Sequence, residues 1–306
     1  MRVLGIDPGT SRWGFVFLEN GKVVEEESVP TGEIKDRPER VLELAGLAEV
    51  IVAPSGYGTV LKRVEDLTEN DFFEILLKRR DEKKLVGLEA VLRMLKETSL
   101  DAYVIPGVKL LPTVTEEKKR GKIDMGTPDK LCAAVAGIVD QARRLKLRYD
   151  QTSFVLAEIG FGFDAFIAVD KGWIIDGIGG TIASSTWRGE DGEILYLRGK
   201  VPKEDLRKNN IGKKKVREGA LKDIKGLAAG FNPREILLSG SKADDVFPFL
   251  KKNLKNVVRL NTCQSSNAAY GAAIIADGLA GGKFKEVVDL ICIEEAGGSN
   301  LDYVNI

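Results

Sequence analysis

The chain has 306 residues, 46 of them Lys or Arg and 46 Asp or Glu, and it contains no histidine. This length suits one large domain or two of ordinary size, and 43% hydrophobic with 30% charged residues is a globular composition. A formal net charge of zero provides no global field for nucleic acid or an anionic membrane. Without histidine, Ser-His-Asp triads, Cys-His pairs and imidazole metal sites are excluded. Acid–base chemistry must come from carboxylates, Lys, Cys, Tyr or the substrate.

The cysteine pattern and the apolar segments indicate a cytoplasmic protein. Cys132, Cys263 and Cys292 are far apart and form no CxxC pair, so we do not expect a disulfide scaffold. The N-terminus lacks an apolar signal region. No apolar stretch approaches the roughly 20 residues that span a bilayer, so we expect no membrane partner.

Three strands are predicted at the start of the chain. They cover residues 2–7, 13–18 and 22–28 and are joined by the turn DPGTSR and by Asn20-Gly21, a strong hairpin signal. Thr127 and Pro128 are typical of an N-cap followed by proline at the first helical position. Between the three opening strands and Thr127, apolar periodicity predicts helices at 37–47, 72–78 and 86–96 and strands at 48–54 and 102–105. After Pro128 it predicts a helix at 129–145.

The opening plan recurs in the second half. A strand, a glycine turn, a strand, a tight turn and a strand occur at 2–28 and again at 154–180, which we interpret as a duplicated fold. We therefore predict an α/β protein with domains at 1–150 and 151–306. The remaining predicted elements are a helix at 218–229, a strand at 235–240, a helix from 243, a strand at 257–260 and a helix at 268–279.

The first strand ends in a turn that can bind phosphate and metal. Asp7 can hold Mg²⁺ directly or through water, and Gly9 permits close approach of a ligand. Thr10 and Ser11 offer hydroxyl groups beside backbone N–H groups. An ordinary Asp-Pro-Gly turn accounts for the same residues about equally well.

An equivalent turn follows the first strand of the second half. Gly160 and Gly162 expose backbone amides, while Glu158 and Asp164 add carboxylates at the same edge. A plain glycine turn is the alternative. Two such turns at matching places favour two phosphate-binding hairpins that face each other across a cleft.

Three further loops are candidates for ligand binding. Gly179 and Gly180 suit an anion-binding loop, and Arg188 could bind a phosphate bidentately; a flexible loop of small residues is the alternative. Gly240 and Ser241 end a strand where a nucleotide's sugar or base could lie, or they form a plain βα loop. The turn of Ser55, Gly56 and Tyr57 is a candidate for the second substrate, with Tyr57 as one wall.

Two segments have simpler interpretations. The basic run at 207–217 is best explained as a solvated loop; a lid over ATP or a nucleic-acid contact are the alternatives, and its lack of aromatics gives no support for strand stacking. Ser265, Ser266 and Asn267 are candidate caps for the helix at 268–279. The small residues of that helix predict close packing against another helix.

In order and spacing, these motifs resemble the acetate and sugar kinase, Hsp70 and actin superfamily, and within it the butyrate kinase-like acyl kinases, including archaeal predicted butyrate kinases. The resemblance implies two ribonuclease H-like (actin-like ATPase) domains with a duplicated βββαβα plan and an interdomain cleft. It is carried by residues 6–12, 50–58, 155–189, 236–241 and 268–279.

The resemblance also implies an ATP-dependent phosphotransferase that uses Mg²⁺ and a small-molecule acceptor, with a short-chain, butyrate-like carboxylate favoured. Asp7 would orient Mg²⁺ or the attacking group, and Arg188 would offset developing charge. The phosphates would lie on Thr10, Ser11, Gly160 and Gly162, and the adenosine on Gly240 and Ser241. We expect no nucleic-acid partner; a homodimer is compatible with the sequence, which does not specify an oligomeric state.

This chain departs from the acyl kinases at several positions, which leaves further functions open. Glu158 stands where the family has a histidine, Phe161 where it has a glycine, and Asp7 where it has an asparagine. If the acceptor is an alcohol, Asp7 or Glu158 would be the general base. The opening GIDPGTSRWGF is also similar to RuvC-type nucleases, which cleave phosphodiesters with two metal ions. A nucleotide-binding regulator that has lost transfer is a third possibility.

Overall fold

A computed structural model describes residues 1–79, 87–186, 191–206 and 212–305. The first half forms a mixed sheet, and its described strands are β1 (Arg2–Asp7), β2 (Arg12–Glu19), β3 (Lys22–Pro30), β4 (Val50–Val52), β5 (Lys62–Arg63) and β6 (Ala102–Val104). Its described helices are α1 (Thr31–Asp36), α2 (Glu39–Ala45), α3 (Glu69–Leu76), α4 (Leu88–Lys96), α5 (Glu116–Lys119) and α6 (Pro128–Leu145).

The second half forms another mixed sheet. Its described strands are β7 (Ser153–Ile159), β8 (Asp164–Asp170), β9 (Trp173–Ile178), β10 (Glu235–Ser239) and β11 (Val257–Arg259). Its described helices are α7 (Gly192–Leu197), α8 (Lys213–Ala228), α9 (Ala243–Asn253), α10 (Asn267–Leu279) and α11 (Lys285–Leu290).

The two sheets have the same strand order. The first runs β3-β2-β1-β4-β6, with β5 added at its edge, and the second runs β9-β8-β7-β10-β11. In each, the first three strands are antiparallel neighbours, and the next two lie parallel to the first. This confirms the predicted α/β fold with a duplicated plan. It also places the carboxyl ends of β1 and β7 at equivalent positions.

The helices α6 and α10 pack against each other between the two sheets. A Cβ added to Gly271 would lie 1.8 Å from the carbonyl oxygen of Cys132, and one added to Gly5 would lie 2.1 Å from the backbone nitrogen of Ala273. Small residues therefore allow backbone-to-backbone contact, as predicted for the helix at 268–279. Because α10 packs on β1 and β2 although it follows the second sheet in sequence, the boundary at residue 150 stays a prediction.

The basic run differs from its prediction. Residues 213–217 of the basic run, expected in a solvated loop, form the first turn of α8, while 207–211 lie outside the described residues. The buried positions Val216, Ala220, Ile224 and Leu227 repeat at helical spacing. The consecutive lysines at 213–215 obscured the first of these positions in the sequence. No helix within the described ranges is long and apolar enough to cross a membrane.

Two glycine-to-alanine changes should have opposite effects on stability, one at the contact of α6 and α10 and one away from it. Gly271→Ala should lower the free energy of unfolding by about 1–3 kcal/mol or more, because the new methyl overlaps the backbone of α6. Gly226→Ala lies inside α8, where an added Cβ would meet no described atom within 4 Å outside its own stretch of helix, and should raise the free energy of unfolding by up to about 1 kcal/mol. Urea denaturation of both variants measures the difference. Equal midpoints for the two would contradict the packing described.

Candidate active site

A cleft of about 1070 Å³ lies where the two halves meet. Both predicted phosphate turns face it, together with Gly180, the turn at Gly240 and the wall at Tyr57. The predicted residues that line it are Asp7, Gly9, Thr10, Ser11, Gly56, Tyr57, Glu158, Gly160, Gly162, Gly180, Gly240 and Ser241. Arg188 lies outside the described residues.

At the floor of the cleft, charged side chains from α6, β7 and β1 form one ionic group. Lys130, in the first turn of α6, places its Nζ 2.8 Å from Asp129 Oδ2 and 3.6 Å from Glu158 Oε1. Asp7, at the end of β1, faces the same group. Thr127 occupies the N-cap position, but its hydroxyl donates to Asp129 Oδ1. One ammonium thus bridges carboxylates from both halves of the chain.

Burial and mutual charge set the protonation of this group. Burial raises the pKa of Asp7 to about 7, and the negative charge of Asp129 adds to the effect. Burial also acts to raise the pKa of Asp129, but the charge and hydrogen bond of Lys130 outweigh it and hold that pKa below its ordinary value. Burial opposes the charge of Lys130, yet the surrounding carboxylates keep its pKa above the ordinary value. Lys130 therefore stays cationic while Asp7 titrates near neutrality.

The amino terminus of α10 supports Asp7. Ser266 Oγ accepts hydrogen bonds from the backbone N–H groups of Ala268 and Ala269, which confirms Ser266 as the helix cap. The same hydroxyl donates to Asp7 Oδ2 at 2.6 Å. Ser266 thus couples the carboxylate at the end of β1 to a helix that begins at the cleft.

The two phosphate turns are built alike. A Cβ on Gly9 would lie 2.3 Å from the carbonyl oxygen of Arg12, and one on Gly160 would lie 2.4 Å from that of Phe163. In both, the glycine stands two residues after the strand-end carboxylate and faces the carbonyl three residues ahead. Only glycine fits such a tight turn. The duplication therefore extends to the turns themselves.

Hydrogen bonds to neighbouring residues also stabilise the second turn. The N–H of Gly160 donates to the carbonyl of Phe163 and to Oδ1 of the fully buried Asp164, both at 3.1 Å. The N–H of Asp164 donates to Thr186 Oγ1 at 3.1 Å. Because the Gly160 amide is used inside the turn, it holds the shape of the turn in this structure.

The turn after β10 adjoins the second phosphate turn. Gly240 has a φ of +95°, and a Cβ there would lie 2.3 Å from the carbonyl oxygen of Ile159. The N–H of Lys242 donates to that carbonyl at 3.0 Å. Gly240 and Ser241 consequently line the cleft directly beside the Phe161 turn.

Another wall of the cleft is mostly aliphatic. Ile75, Leu76 and Leu88 line it beside Tyr57, and Lys203 reaches it from the second half. Lys203 Nζ donates to the carbonyl of Leu76 at 2.7 Å. Behind this wall rather than on it lies the buried Ser55, whose hydroxyl donates to the carbonyl of Ala53 and accepts from the N–H of Ile105. Ser55 therefore shapes the turn that carries Gly56 and Tyr57.

Buried carboxylates lie beside Gly180. Burial raises the pKa of Asp124, which lines the cleft, to about 7, and that of Glu193 to about 8. Thr181 donates to Glu193 from both its N–H and its hydroxyl. Gly179 is next to the cleft, but its N–H donates to the carbonyl of Asp124 at 3.3 Å. Of the predicted glycine pair, Gly180 faces the cleft.

The carboxylate floor was only half visible in the sequence. Asp7 and Glu158 belong to predicted turns at strand ends, whereas Asp129, Lys130 and Asp124 belong to no predicted site. The available signal was the start of α6 itself, because Thr127-Pro128 predicts a helix N-terminus and charged residues follow it at once. What placed that N-terminus at the cleft was its packing against α10.

The raised pKa of Asp7 predicts a pH-dependent difference in stability. The folded chain holds the Asp7 proton more tightly than the unfolded chain, so this group's contribution to stability is lost as the pH rises towards 7. In urea denaturation, the advantage of Asp7→Asn over wild type should therefore grow between pH 5 and pH 8. Asp205→Asn, which removes an exposed carboxylate, is the control for the loss of one negative charge. Parallel profiles for Asp7→Asn and wild type would contradict the prediction.

Several solved structures that align with most of this chain are kinases. A propionate kinase from Francisella tularensis subsp. tularensis SCHU S4 aligns with a TM-score of 0.53 at 10% identity, covering 89% of this chain and 98% of that one. Acetate kinase from Porphyromonas gingivalis aligns with a TM-score of 0.52 at 12% identity, covering 90% and 98%. A ROK family glucokinase from Streptomyces griseus aligns with a TM-score of 0.49 at 14% identity, covering 90% and 99%.

These likenesses show the fold, an α/β architecture with two mixed sheets that this chain shares with the propionate and acetate kinases. No curated protein sequence matches the chain significantly. Residues 5–306 match the family described as "Protein of unknown function (DUF1464)". The chain belongs to that family.

Proposed function

We propose that this protein is an ATP-dependent phosphotransferase acting on a small-molecule acceptor. The observation that carries the proposal is the pair of like-built turns, at Gly9 and Gly160, that line one cleft above Asp7, Lys130 and Glu158. Phosphoryl transfer depends mainly on positioning and charge neutralisation. A cleft with two tight glycine turns and a fixed ammonium can provide both.

The donor set fits ATP·Mg²⁺. Among the residues that the structure describes, no three potential ligand side chains cluster as a metal site, but Mg²⁺ commonly uses one or two carboxylates together with phosphates and water. Asp7 is the candidate carboxylate. Glu158 Oε2 is buried and has no hydrogen-bond partner among the described residues, which suits a bound water or ligand hydroxyl. When bound, Mg²⁺ would neutralise charge on the transferred phosphate.

The chain's own residues would act as follows. Thr10 and Ser11 would donate to phosphate oxygens from the first turn, and Lys130 would oppose the charge of the phosphates from the floor. Gly240 and Ser241 would contact the adenosine, and Arg188 would offset charge in transfer. With an alcohol acceptor, Asp7 would take the proton if it does not hold Mg²⁺, and Glu158 would take it if Asp7 does. A carboxylate acceptor would need no base.

A short-chain carboxylate is our first acceptor class. Ile75, Leu76 and Leu88 provide an aliphatic surface beside Tyr57, and Lys203 provides an ammonium at the same wall. This arrangement suits an apolar tail with an anionic end, in line with the resemblance to butyrate kinase-like enzymes. An alcohol is the second class, favoured by Asp7 as a base and by Asp124 nearby.

A nuclease and a non-catalytic regulator fit the cleft less well. A RuvC-like nuclease needs several carboxylates around two metal ions, whereas Lys130 bridges the floor carboxylates here and the described residues contain no such cluster. A regulator without transfer would keep nucleotide binding. Nucleotide affinity and acceptor-dependent turnover, measured on the same protein, distinguish these functions.

Nucleotide binding should be visible as thermal stabilisation. At a nucleotide concentration 100 times the Kd, binding should add about 2.7 kcal/mol, which raises Tm by several degrees. ADP and ATP, each with Mg²⁺, should both shift Tm, and single-stranded DNA should not. Asp7→Ala should remain folded by circular dichroism but lose at least about 100-fold in turnover. No shift at millimolar nucleotide would refute the phosphotransferase, and binding without any acceptor-dependent turnover would favour the regulator.

The acceptor class can be tested with matched acids and alcohols. Butyrate and butanol share an aliphatic chain, and ADP release with each shows whether an anionic end is required. Lys203→Met should raise KM for butyrate about tenfold or more, because it removes the ammonium at the aliphatic wall. ADP release with butanol should be affected much less by the same change, because an alcohol has no charge for Lys203 to neutralise. Turnover with alcohols alone would reject the carboxylate acceptor.

A further inference from the structure

Phe161 is an exposed aromatic side chain inside the cleft. It lies at the tip of the second phosphate turn with 61% of its surface accessible, and it lines the cavity beside Gly160 and Gly162. Exposing a large apolar ring to water forfeits burial free energy. Its place in a concave site, rather than on an outer surface, gives that exposure a ligand-binding explanation.

The ring stands beside the turn after β10. The backbone N–H of Lys242 donates to Ile159 at 3.0 Å, which joins this turn to the end of β7. Lys242 Nζ lies 5.5 Å from the centroid of the Phe161 ring, within the range of a cation–π contact. Gly240 and Ser241 extend along the cleft from there. An aromatic face and an ammonium thus adjoin a polar turn with no side chain at Gly240.

We propose that Phe161 is a stacking platform for the planar base of a nucleotide bound in the cleft. The inference rests on the proposed phosphotransferase function and assigns one specific binding residue to it. A base stacks on an aromatic face regardless of its hydrogen-bonding pattern, and Lys242 adds positive charge beside the ring. Leu76 and Leu88 line the cleft with Tyr57 as a separate aliphatic wall, so an apolar acceptor has its own surface.

The proposal separates binding of the base from binding of the phosphates. Isothermal titration with ADP and with inorganic pyrophosphate, each with Mg²⁺, measures the two contributions. Phe161→Ala should weaken ADP binding by about tenfold or more and weaken pyrophosphate binding by a much smaller factor. Phe161→Tyr, which keeps the aromatic face, should restore ADP affinity, while Phe161→Leu, which keeps only apolar bulk, should not. A direct signal comes from Phe161→Trp, whose added fluorescence should be quenched by ADP but not by pyrophosphate.

An exposed aromatic residue away from the cleft provides the matched control. Trp173, 49% exposed at the start of β9, lies at the far end of β8 from the Phe161 turn, and Trp173→Ala should leave both affinities unchanged. Equal losses for ADP and pyrophosphate in Phe161→Ala would show that the ring only shapes the phosphate turn, and would overturn the proposal. Unchanged ADP affinity would overturn it too. If the wild-type protein binds neither ligand, the phosphotransferase function itself fails, which is a distinguishable result.

Discussion

The ammonium of Lys130 is the interaction on which the cleft depends. It contacts Asp129 on its own helix and Glu158 at the end of β7, so it links the two halves of the chain at the floor of the cavity. Asp7 faces the same group and adds its charge to the field at Lys130, so three carboxylates surround one lysine. Were all of them ionised, the floor would repel an anionic ligand. The raised pKa of Asp7 shows how burial relieves part of that charge.

The position of this group follows from helix packing in the core. Gly271 against Cys132, and Gly5 against Ala273, bring backbones into contact and fix α10 on both α6 and β1. Both long helices then begin at the cleft, α6 with Asp129 and Lys130 and α10 with the Ser266 cap. A helix N-terminus favours negative charge. The same packing that stabilises the core therefore helps to hold carboxylates, and in our proposal phosphates, between the sheets.

Local signals predicted the parts of the site that are local. Asp7, Gly9 and Gly160 belong to short turns between strands, and strand periodicity with the Asn20-Gly21 hairpin defined the repeated plan. Asp129 and Lys130 became functional candidates only once α6 was seen to pack against α10, a contact between residues about 140 positions apart in the sequence. Lys203 likewise became a candidate only in the folded structure, where it reaches the aliphatic wall at Leu76 from the second half of the chain. Long-range packing decides these positions, and no local pattern encodes it.

The lack of histidine has a physical counterpart in this cleft. An imidazole titrates near neutrality in water, whereas a carboxylate does so only when burial and neighbouring negative charge raise its pKa. Asp7 meets both conditions, beside Asp129 and beneath the two turns. Its contact with Ser266 fixes the carboxylate in place. A protein without histidine can thus have a group that exchanges protons near pH 7, provided that the fold keeps it buried, partnered and next to a lysine that remains charged.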